Sequence, residues 1–131
     1  MVPSNRVVNR IRFVALAAGT IAIGLAVYLR GGVLGATTRD VLGDALWAAM
    51  IFWLVGAVAP RAPVLRRGAT SFGICVAVEL GQLIRAPWLV AIRDTTLGHL
   101  MLGSGFDPRD LLAYAGGVSA AFLAERIVMT R

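Results

Sequence analysis

The sequence predicts an all-α, polytopic membrane protein with four transmembrane helices and a short interfacial or re-entrant segment before the last. Two observations predict it. Hydrophobic residues make up 58% of the 131 residues and charged residues only 15%, a mix a water-soluble domain cannot bury. The apolar residues are also gathered into runs of membrane-crossing length, with the arginines set between them. The whole chain, 1–131, reads as a single membrane domain, without repeat, low-complexity tract or linker.

The first span, about 11–29, is the clearest, because 13–29 carries no charged residue. A rise of about 1.5 Å per residue lets it and its flanks cross an apolar core of about 30 Å. Arg6, Arg10 and Arg12 precede it in the manner of a signal peptide. The run is long and has no convincing small-residue cleavage site, so it is expected to be retained. No lipidation motif is present: residue 2 is Val, and no cysteine lies near the C-terminus.

The second span, about 41–59, carries Asp44 near its start and stops at Pro60, which cannot extend a helical hydrogen-bond ladder. The third, about 68–85, is interrupted by Glu79 and Gln82. The fourth, about 109–129, bears Glu125 and Arg126 near its end. Between the last two, 86–108 is too polar and glycine-punctuated for a span and too apolar for a solvated loop, which gives the interfacial or re-entrant reading. Trp88 suits an anchor at headgroup level.

All 13 basic residues are arginines, against 7 acids. They form no long basic tract and no recognition-helix pattern, so nucleic acid is not an expected partner. With four spans, Arg6, Arg10, Arg12, Arg61, Arg66, Arg67, Arg126 and Arg131 fall on one side. Arg30, Arg39, Arg85, Arg93 and Arg109 fall on the other, accompanied by Asp40, Asp94, Asp107 and Asp110. The positive-inside rule then places both termini in the cytoplasm of a bacterial inner membrane. Cys75 is the only cysteine and His99 the only histidine. A disulfide and a multi-histidine metal centre are excluded, and no metal or other cofactor is expected.

The unusual polar residues collect at the outer end. Glu79 is the sharpest candidate, since a charge inside a span costs at least about 2.5 kcal/mol on insertion scales. Glu79 and Gln82 stand three apart, with Arg85 a further turn outward, so a helix through 85 would carry them as a polar stripe. The functional reading is a cavity for a polar headgroup or a proton relay. The structural reading is a buried pair with Arg93 or Arg109. Asp40 suits an N-cap and Asp44 a site role. Glu79, His99 and Asp110 are the candidate general acids or bases, although a lone histidine on a glycine-flanked segment also fits packing. Gly116 and Gly117 are expected to permit close helix approach.

The stretches GDALWAAMIFW at 43–53, VELGQLIRAPWL at 78–89 and LGHLMLGSGFDPRDLLAYAGG at 97–117 resemble the small bacterial membrane proteins of the domain of unknown function 2809 family. The chain also resembles, remotely, the VanZ-like family. That family's Glu-x-x-Gln and Asp-x-x-x-Asn-x-x-Gly slots are filled here by Glu79-x-x-Gln82 and by Asp110, Tyr114 and Gly117. Tyr114 stands where that family usually has Asn, and Ala48 near the place of its usual His. The resemblance implies four spans, an outward-facing polar site and a cell-envelope setting.

The leading functional expectation is therefore a binding protein for an envelope lipid headgroup or lipid-linked intermediate, either an anionic lipid or a lipid-linked glycan. Its ligand-binding set is Asp44, Glu79, Gln82, Arg85, Arg93, Arg109, Asp110 and Tyr114, with the arginines holding phosphate or carboxylate. A membrane-embedded transferase or hydrolase acting on such a lipid is the alternative. A transport or assembly subunit is a third reading, and transport would need a homo-oligomer, because four helices leave little room for alternating access.

Overall fold

The computed structural model describes residues 5–30, 33, 35–96 and 108–128, with side chains from Asn9 onward. Among the described residues there are five helices: α1 (Asn5–Leu29), α2 (Ala36–Val58), α3 (Val64–Gly81), α4 (Pro87–Arg93) and α5 (Pro108–Val128). None of them is a strand. His99, Asp107 and the rest of 97–107 within the expected re-entrant stretch lie outside the described residues.

Three helices are long and apolar enough to cross a membrane: α1 from Asn9, α2 and α5. The remaining expected span corresponds to α3, which has 18 residues, about 27 Å of helix. Arg66, Arg67 and Glu79 all lie within those 18 residues. The helix ends at Gly81 rather than 85, and Gln82 and Leu83 form a turn instead. Arg85 consequently lies beyond the helix, exposed, and does not extend the Glu79 face.

α2 sits at the centre and packs against α1, α3 and α5, while α3 also packs against α5. Phe13 and Ala17 of α1 meet Phe52 and Trp53 of α2 and Ala121 of α5 in one buried cluster. Two glycines set the spacing. A Cβ on Gly56 would fall 2.8 Å from the Phe13 ring, and one on Gly117 would run into the Ala45 backbone, 2.8 Å from its Cα. The expected close approach therefore holds at Gly117, whereas Gly116 has open space where a Cβ would go.

α3 is built inside out. Its buried residues Arg67, Ser71, Cys75 and Glu79 recur every four positions, and Gln82 follows three later, so one face turned into the bundle is nearly all polar. Several of its large apolar residues point away: Leu65 is 76% exposed and Leu80 52%. Such an arrangement suits lipid as solvent, since hydrocarbon accepts leucine and rejects charge. α1 shows the same outward greasiness at Ile11, Ile23 and Leu29.

Asp40 does not cap α2. The helix begins one turn earlier, after Gly35 at φ 83°, a left-handed conformation that glycine adopts without strain. Asp40 is exposed and faces Arg39 at 3.9 Å.

Candidate functional site

Asp44 near the start of α2, Glu79 near the end of α3, and Asp110 and Tyr114 at the start of α5 are brought to one end of the bundle. The topology dictates this, since α2 and α5 begin where α3 finishes. Asp110 and Tyr114 are four apart and share a face of α5. The Tyr114 hydroxyl donates to Glu79 Oε2 at 2.8 Å, and both residues are buried, Glu79 completely. The Asp44 carboxyl lies within hydrogen-bonding reach of Asp110, with Glu79 and Asp40 the next charges facing it.

Trp47 completes the surround. It stands three residues after Asp44 on the same helix and tilts against the Tyr114 ring, centroids 5.7 Å apart. Its indole Nε1–H is buried without an acceptor among the described residues, which costs about 1–3 kcal/mol if nothing fills the role. Sequence reasoning passed over Trp47, although its spacing from Asp44 was the available signal. Ala48 and Cys75, both fully buried, form the floor with Tyr114. Cys75 acts there as a small apolar filler.

Of the arginines expected to join these acids, Arg93 is placed differently. Arg93, buried in the last turn of α4, donates through Nη1 to the Ile84 carbonyl at 2.8 Å and through Nη2 to the Gly81 carbonyl at 2.5 Å. It therefore binds the C-terminal carbonyls of α3, where a helix dipole favours a cation, rather than a carboxylate. Arg85 and Arg109 are exposed. Gln82 is buried directly beyond α3, its N–H bonded to the Glu79 carbonyl at 3.1 Å. Trp88 is 65% exposed on α4, as a headgroup-level anchor requires. Among the described residues, no three acid, histidine or cysteine side chains converge closely enough to hold a metal ion.

A second polar centre, which sequence reasoning did not find, lies at the opposite end. Arg67 on α3 meets Glu125 on α5 through two hydrogen bonds of 2.5 and 3.0 Å. Its Nε donates to the Ala62 carbonyl at 3.0 Å. The guanidinium also lies over the rings of Phe13 and Phe52, 5.2 and 5.7 Å from their centroids, a cation–π arrangement that desolvation strengthens. Every group in this centre has a partner, so its chemistry is that of a clamp.

The fold and the acid-lined end define a class: all-helical proteins whose long helices suit a membrane and whose polar groups are turned inward between them. Within that class the chain belongs to the DUF2809 family, described as a protein of unknown function, whose model matches residues 33–118. The matched residues contain all of the acid-lined end and leave out α1 and Glu125. No solved structure matches the chain.

Proposed function

We propose that the protein is a multi-pass component of the bacterial cytoplasmic membrane, with α1, α2, α3 and α5 as four crossings and both termini in the cytoplasm. Its extracytoplasmic end binds the headgroup of an envelope lipid or lipid-linked intermediate. The observation that carries this reading is the convergence of Asp44, Glu79, Asp110 and Tyr114 from three helices, beside the acceptor-less indole N–H of Trp47. Intramembrane acids are costly to keep and mark binding sites or ion paths.

Carboxyl oxygens accept hydrogen bonds and an indole N–H donates one. A hydroxyl both donates and accepts, so a sugar headgroup, with several hydroxyls in a small volume, satisfies both sides. The aromatic faces of Trp47 and Tyr114 suit such a ring. A phosphate fits this end poorly, because the charges that converge are negative. The reading thus narrows the expected ligand to a hydroxyl-rich, lipid-linked glycan.

Native mass spectrometry of protein extracted in mild detergent tests it. Wild type retains a glycan-bearing lipid, and Glu79→Gln and Asp44→Asn lose it. Identical lipid profiles in all three would overturn the reading. Retention of an aminophospholipid instead would also overturn the glycan assignment.

The Asp44 and Asp110 pair favours a second reading, a transferase or hydrolase in which a carboxyl carries a proton to or from the bound headgroup. Incubation of an envelope-lipid extract with wild type and with Asp110→Asn separates the two: an enzyme gives a product with wild type alone, a binding protein with neither.

A further inference from the structure

At the Arg67 end, α2 and α3 leave between them an open groove of about 470 Å³. Its walls are mostly apolar, with Ile51, Leu54 and Val58 on α2 and Thr70 and Ile74 on α3, and Arg66 stands where it reaches the connecting turn. From Arg66 to Ile74 the groove follows about 12 Å of helix.

Three positive features meet at this end with no carboxylate paired to them among the described residues. α3 begins after Pro63 with no side-chain cap and no acid in its first turn, so its positive pole and free N–H groups are uncovered. Arg66 lies in that first turn and Arg61 in the turn before it, both exposed. Of the arginines at 61, 66 and 67, only Arg67 has a carboxylate, Glu125. The other ion pair among the described residues is Arg39 with Asp40, far from here. Arginine at a helix N-terminus is electrostatically misplaced, unless an anion sits over both.

We propose that this groove is a binding site for an anionic diacyl phospholipid. One acyl chain lies along Leu54, Val58 and Ile74, and the phosphate sits over the start of α3 between Arg61 and Arg66, where charge-assisted hydrogen bonds hold it. A free anion would leave the apolar groove without a purpose, and a neutral lipid would leave the cationic end unbalanced. General attraction of a basic loop to an anionic leaflet is worth about 1 kcal/mol per arginine, but it does not depend on the groove. The site is separate from the acid-lined end, since Arg67 and Glu79 are about 18 Å apart along α3.

The test uses the full chain in a detergent micelle, given dioleoyl phosphatidylglycerol or dioleoyl phosphatidylcholine, with bound lipid counted by native mass spectrometry. Wild type retains the phosphatidylglycerol about tenfold better or more. The double variant Arg61→Gln/Arg66→Gln brings retention down to the phosphatidylcholine level. Val58→Trp, which fills the groove and keeps both arginines, lowers it comparably. All three positions are exposed, and circular dichroism checks that the helices persist. Equal retention of the two lipids by wild type would overturn the proposal. So would unchanged retention in Val58→Trp, which would reduce the effect to surface charge, or displacement of the lipid by glycerol 3-phosphate, which would reduce it to a free-phosphate site.

Discussion

Arg67 and Glu125, 58 residues apart in sequence, close α3 onto α5 through a two-pronged ion pair whose side chains are only 7% and 9% exposed. Removing one partner strands the other charge in an apolar bundle. Arg67→Met or Glu125→Gln should each cost about 3–5 kcal/mol, whereas Arg67→Met/Glu125→Leu, which removes both charges, should recover much of the loss. Denaturant titration in mixed micelles measures all three.

Gly117 is held against the backbone of Ala45 and Gly116 faces open space. Gly117→Ala should therefore push α2 from α5 and destabilise the bundle by about 1–3 kcal/mol. Gly116→Ala should be neutral or slightly stabilising, given alanine's better helix propensity. Thermal unfolding of the two variants side by side reads the contrast.

Tyr114→Phe deletes the hydroxyl that donates to Glu79 from α5. Leaving a buried polar group short of a partner costs about 1–3 kcal/mol, so the variant should lose stability of that order. It should also lose lipid retention, while Cys75→Ala, a change in the floor that touches no polar group, should keep the lipid.

Arg93 ties α4 to the end of α3 through the Gly81 and Ile84 carbonyls. Arg93→Met should loosen that corner and leave the Arg67 end untouched. Hydrogen exchange should rise at 82–96 and stay unchanged at 64–75. A uniform rise along α3 would mean that Arg93 holds the bundle as a whole.

The apolar helices were legible because hydrophobic run length is a local property, and α1, α2 and α5 lie close to the predicted spans. Glu79, Asp44, Asp110 and Tyr114 were legible as polar residues out of place in such runs. Their meeting followed from alternating helix direction. The Arg67 and Glu125 pair was not legible, because each stands near the end of an apolar run and looks like an ordinary flanking charge. The length of α3 was misjudged because Leu83 and Ile84 continue the apolar pattern through the turn. Arg93 then supplies from a distant element the carbonyl partners that the helix lacks. Asp40 looked like a cap because the sequence marks no earlier start, and the glycine at 35 signals the start only through its backbone conformation.

The account depends on the acid-lined end facing outward across a membrane, with the Arg67 end in the cytoplasm. Alkaline phosphatase fusions read this directly, since the enzyme is active only outside the cytoplasm. Fusions after residue 35 should be active, and fusions after residue 61 and after Arg131 inactive. Activity after Arg131 together with inactivity after residue 35 would invert the protein and contradict the assignment of the acid-lined end to an extracytoplasmic ligand.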